Sequence, residues 1–174
     1  RGGVPAIGVS AVVLNVSVVG PTSSGYITVH AGGTARPTAS NLNFVKGQTV
    51  PNLVIAPVGA GGVVDLYNGS AGTTQLVADV SGYYVSGAPT AAGTFGSLAP
   101  SRLLNTLTGL GAPKAAVAAR NTVHLKVTGR GGVPAAGVSA VVLNVSVVAP
   151  TSSGYITVHA GGIARTTASN LNFV

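Results

Sequence analysis

The sequence predicts an all-β fold: an antiparallel β-sandwich, or a pseudo-threefold β-prism or trefoil-like body, with Gly-rich turns between strands. Three observations predict it. Apolar and polar residues alternate with period 2 in short runs. Clusters of Gly, Pro, Ser and Asn separate those runs at close spacing. Only residues 113–120 (PKAAVAAR) offer a short helix, and their alanines suit a loop or turn nearly as well.

Taken in chain order, the strand candidates share one pattern. In VVLNVSVV (12–19), Val12, Leu14, Val16 and Val18 fall on one face and Val13, Asn15 and Ser17 on the other. The alternation recurs in YITVH (26–30), NLNF (41–44), VVDLY (63–67), QLVADV (75–80) and TVHLKV (122–127). Turn chemistry punctuates them at residues 20–25 (GPTSSG), 31–33, 59–62, 68–70 and 129–132.

Internal repetition sets the organisation. Residues 130–174 repeat residues 1–45 with four changes, Ile7 to Ala136, Gly20 to Ala149, Thr34 to Ile163 and Pro37 to Thr166, at an offset of 129 residues from Arg1 to Arg130. A period of that size is a whole small domain, so the chain holds about one and a third units of a tandem array. Fainter echoes inside the unit, such as NLVIAPVGAGG after SAVVLNVSV, divide it into three modules of about 43 residues. Three such modules of about three strands fit a prism or trefoil-like body, and a two-sheet sandwich fits the strand count as well.

Composition excludes several function classes. Of the 174 residues 46% are apolar and only 6% charged, and the mean hydropathy of +0.53 is the reverse of a disordered chain's. The longest apolar stretch, residues 53–64, carries Pro57, Gly59, Gly61 and Gly62 and is too short to insert in a membrane. No cysteine is present, so disulfides and thiolate chemistry are excluded. A start at Arg1 without Met reads as a processed or partial product. Nine Lys and Arg against Asp65 and Asp79 give a formal charge of +7. No two of the nine are adjacent, so the clustered cations and stacking aromatics of a nucleic-acid site are not expected.

The series RLLNT, VTGRGGVP, SAVVLNVSV, SGYITVHAGG, SNLNFVKGQTVPN, VDLYN and LVADVSGYY covers the whole chain. It resembles the tandem all-β repeat domain of large secreted and cell-surface proteins of actinobacteria and related environmental bacteria. The resemblance implies an extracellular or cell-surface location, and it implies no activity. Where the family's first motif ends in Asp-Thr-Arg, this chain has Asn105, Thr106 and Leu107. Aligned to that pattern, residues 1–85 are the last two modules of one unit, residues 86–94 a linker, and residues 95–174 the first two modules of the next.

Two incomplete halves expose sheet edges and apolar faces, so the first expected partner is the chain itself, through module exchange that builds a fibre when it does not close. Catalysis is not expected, because paired carboxylates and a nucleophile, base and acid set are missing from the pattern. His30 and His159 are one repeat position seen twice, on an expected outward face beside a Gly-Gly turn, and His124 alternates with Thr122 and Lys126 on another. No metal or cofactor is expected. The candidate site is for a sugar: Asp65 and Tyr67 share a face beside Asn68, and Tyr83 offers a second ring, an acid, amide and aromatic set suited to a cell-wall or other extracellular polysaccharide. Asparagines recur at strand positions where the residue is usually depleted, Asn15, Asn41, Asn43, Asn52 and Asn144 among them. The expected reason is a hydrogen-bonded amide ladder between modules.

Overall fold

Residues 9–19 place every second side chain on one face, and they form the strand around which the fold is built. In the computed structural model, which describes residues 2–88 and 91–174, β1 is Val9–Val19 and lies between β4 (Val50–Pro57) and β6 (Gln75–Val85) in an antiparallel sheet of order β4-β1-β6. A second antiparallel sheet has β2 (Gly25–Ala31) between β3 (Leu42–Phe44) and β5 (Val64–Asn68). A separate hairpin pairs β7 (Gly154–Ile156) with β8 (Leu171–Phe173). The chain is all-β with antiparallel sheets. Among the described residues, no helix is long and apolar enough to cross a membrane. Within the expected linker 86–94, Pro89 and Thr90 lie outside the described residues, as does Arg1.

The core is the face that the alternation marks. Val12, Leu14, Val16 and Val18 of β1 meet Ile27 and Val29 of β2, Leu42 and Phe44 of β3, and Val54 and Ala56 of β4 in one buried cluster. Each such side chain contributes about 1.5–3 kcal/mol by leaving water. Pro51 and Pro57 sit in β4 because it is an edge strand with β1 as its one neighbour, so a missing N–H can face away from the ladder. Ser10 is bypassed where the β1·β6 register shifts between Val9 and Ala11, and its hydroxyl donates to the Val85 carbonyl (3.1 Å).

The asparagines extend and tie the sheets. Chain β3 is short, and beyond it the Asn41 side chain takes over: the Val29 N–H donates to Asn41 Oδ1 (2.7 Å), and the Asn41 N–H donates to the Ile27 carbonyl (2.8 Å). Further out, Asn52 Nδ2 donates to the Asn41 carbonyl and to Asn144 Oδ1 (3.3 Å), Asn144 Nδ2 donates to the Ser40 carbonyl (2.7 Å), and Asn43 Nδ2 donates to Ser146 Oγ (3.1 Å). Amides therefore join the 1–85 sheets to the second copy of the repeat. Asn41→Ala removes the acceptor of the Val29 N–H on a buried residue. It is expected to destabilise the sheets by about 1–3 kcal/mol, read as a lower urea midpoint and faster exchange of that one amide.

The second copy folds differently from the first. Residues 138–148 match β1 residue for residue, yet they form no strand and are largely exposed. Residues 122–127, expected as a strand, keep His124 and Lys126 exposed and Val123 and Leu125 half-buried, but no strand forms there; residues 113–120 form no helix. What the second copy retains is local. β7 and β8 reproduce the β2·β3 register, Gly154 to Phe173, Tyr155 to Asn172 and Ile156 to Leu171. The Val158 N–H donates to Asn170 Oδ1 (2.8 Å) and Thr157 Oγ1 to the Ala168 carbonyl (2.9 Å), as Val29 and Thr28 do in the first copy. Bonds between residues 11 or 12 apart close within the module, whereas β1 pairs with β4 residues 32 to 46 positions away and β6 residues 56 to 76 positions away.

Candidate functional site

Strand β5 pairs with β2 from Ile27 opposite Asn68 to Ala31 opposite Val64, which carries Asp65 and Tyr67 on one face two residues apart. The same register lays the 31–37 loop beside that face. Its Gly33 N–H donates to Asp65 Oδ2 (3.2 Å), and the Arg36 guanidinium stands 4.2 Å from the centre of the Tyr67 ring. Tyr26 approaches the ring from the side, with centroids 6.4 Å apart and planes at 45°. Tyr67 remains 43% exposed. A cation over an aromatic face is worth about 0.5–1 kcal/mol at such an exposed position, and it orients the ring.

Asn68 is engaged in its own turn. Its Oδ1 accepts from the Ser70 N–H (3.1 Å) and hydroxyl (2.8 Å), and its Nδ2 donates to the Gly72 carbonyl (2.9 Å). Tyr83 lies on β6 in the other sheet, across from Val12, and is exposed. Asp65 and Tyr67 thus form one patch, Asn68 closes the turn beside it, and Tyr83 belongs to a separate surface. Arg36 joins the patch without any cue in its spacing, since it is 31 positions from Tyr67 and reaches it only through the β2·β5 pairing. Arg165, its repeat counterpart, instead donates to the Tyr155 hydroxyl (3.4 Å).

The expected outward position of His30 is corrected by the structure: it is 6% exposed. It lies opposite Asp65 in the strand pair, and residues 31–37 fold over it together with Pro57 and Pro100, leaving a cavity of about 300 Å³ beside the ring. Nδ1 is 3.1 Å from the Ala31 carbonyl oxygen, which can only accept, so Nδ1 carries the proton of that pair. His159 makes the same bond at 3.0 Å but is only half-buried, because no β5 lies beside it. Among the described residues no three His, Cys, Asp or Glu gather where they could hold a metal ion. The patch offers an aromatic face, an acid and a cation.

The chain matches no family model, and no curated protein or solved structure matches it either.

Proposed function

We propose that this chain is a non-catalytic structural or adhesive module of an extracellular tandem-repeat protein, one that associates with itself through its sheets and builds a fibre. The observation that carries the reading is the contrast between two copies of one module: residues 9–19 are a buried central strand, while the identical residues 138–148 stand exposed. Val142 and Val148 are exposed within that segment, and Ile163 adds to the uncovered apolar surface. Surface of this kind asks to be covered by another module. Sparse charge and the spread of the cations fit a protein whose partners are its own sheets and an extracellular or cell-surface matrix. Electron microscopy and light scattering test the reading: extended assemblies that lengthen with concentration are expected, and a particle that stays monomeric at high concentration overturns it.

A second reading is a carbohydrate-binding module of a secreted hydrolase, favoured by the exposed Tyr67 ring that Arg36 orients beside Asp65. It expects retention on insoluble cell-wall or plant polysaccharide, reduced about tenfold or more by Tyr67→Ala, since loss of a stacking ring costs on the order of 1.4 kcal/mol. Equal retention of the variant rejects the site.

A further inference from the structure

We propose that the cavity beside His30 is a binding site for a small single-ring phenol, whose hydroxyl donates to His30 Nε2 while its ring packs against proline and alanine walls.

The imidazole is prepared for that role by what its other nitrogen does. Nδ1 carries the proton of the bond to the Ala31 carbonyl, so in the neutral ring Nε2 presents a lone pair and can only accept. Both hydrogen bonds that the ring makes among the described residues, to the Ala31 carbonyl and to Thr34 Oγ1 at 3.4 Å, are at Nδ1. Arg36, the cation of the covering loop, is turned to the Tyr67 ring. Among the described residues Ser23 Oγ is the one side-chain polar atom sealed away without a partner, so Nε2 is not walled in. The ring is 6% exposed and lines a cavity of about 300 Å³, and that is the space open to it. An acceptor held in so buried a position favours a ligand that brings a donor.

The walls say what the rest of the ligand is. Ala35 and Pro37 of the 31–37 loop, Pro57 at the end of β4 and Pro100 from later in the chain line the cavity, and the surface it presents is overwhelmingly apolar. Thr34 is the other polar side chain there, and its hydroxyl already donates to the Ala31 carbonyl (2.7 Å). A sugar would bring several hydroxyls into this site and leave most of them without partners. A phenol brings one, more acidic than an alcohol's and so a stronger donor, on a planar apolar body with no chain to order. Proline rings have little freedom to lose, so the walls need little ordering when the ligand arrives. Size permits it, since an apolar protein cavity of about 150 Å³ is enough to take up benzene. The site belongs to the first copy of the repeat: Thr34 to Ile163 and Pro37 to Thr166, two of the four differences between copies, fall in the wall, and His159 is only half-buried. One phenol per chain is expected.

Phenol and anisole share a ring and differ in the donor, which makes them the test on the unaltered chain. Phenol is expected to bind at millimolar concentration and about tenfold more tightly than anisole, the factor that one good hydrogen bond supplies. Cyclohexanol, a donor without the planar ring, is expected to bind several-fold more weakly than phenol. On saturation with phenol the His30 Nε2 resonance is expected to move upfield in nitrogen NMR spectra as that atom accepts, with the His124 and His159 rings unmoved. In His30→Phe, which keeps a planar ring and removes the acceptor, phenol and anisole are expected to bind alike, with the β2·β5 amide resonances checking the fold; where that variant unfolds, the measurements on the unaltered chain decide. No phenol binding at millimolar concentration, anisole or cyclohexanol equal to phenol, or a His30 resonance that stays in place overturns the inference. A preference for phenol that survives in folded His30→Phe puts its hydroxyl elsewhere and overturns it as well.

Discussion

Leu14→Ala is expected to destabilise the two sheets of residues 1–85 by about 3 kcal/mol, whereas Leu143→Ala, the same substitution in the same local sequence, changes stability by less than about 0.5 kcal/mol. Leu14 is 8% exposed in the cluster with Ile27, Phe44 and Val54, so truncation removes apolar burial and leaves a cavity between the sheets. Leu143 is 38% exposed and has no strand on either side. Urea titration followed by far-ultraviolet circular dichroism reads both effects, and hydrogen exchange assigns the loss to β1, β4 and β6. Equal shifts for the two variants would mean that the second copy is as well packed as the first.

Gly32→Ala is the second large effect, at about 2–3 kcal/mol, against near neutrality for Gly161→Ala. The N–H groups of Gly32 and Gly59 both donate to the Val63 carbonyl, at 2.9 and 2.8 Å, which draws three backbone segments together at the end of β5. A Cβ on Gly32 would stand 2.6 Å from Val63 Cγ1 and 2.9 Å from the Val63 oxygen, while one on Gly161 meets nothing within 4 Å. Neither glycine has positive φ, so close approach alone distinguishes them. The Gly32 variant is expected to lower the unfolding midpoint and release the Gly59 amide to exchange; retention of both in Gly32→Ala would show that the 59–63 turn moves aside at little cost.

Much of the fold was legible in the residues. The alternation in 12–19 identifies the side chains that enter the core, and β2, β3, β5 and β6 lie within a few residues of their expected positions. β4 is harder to see, because Pro51 and Pro57 argue against a strand until its edge position is known. His30 was legible as a strand residue but not as a buried one, since its cover needs the adjoining 31–37 loop to fold back over it and Pro57 and Pro100 to arrive from distant parts of the chain. The pairing of Asp65 with Tyr67 follows from period 2 alone. The bonds that tie Asn68 into its turn are local, to Ser70 and Gly72, whereas the placement of Tyr83 in the other sheet and of Arg36 over Tyr67 depends on strand register.

The repeat separates the two kinds of information within one chain. By itself, the sequence determined what closes over short separations: the turns, the side-chain alternation, and the Asn41 and Asn170 bonds that recur with the same partners in both copies. Only the tertiary structure decided which of two identical eleven-residue segments becomes a strand. A strand needs hydrogen-bonding neighbours, and for β1 they come from residues 50–57 and 75–85; the same residues at 138–148 keep the sequence pattern of a central strand but form none and are largely exposed.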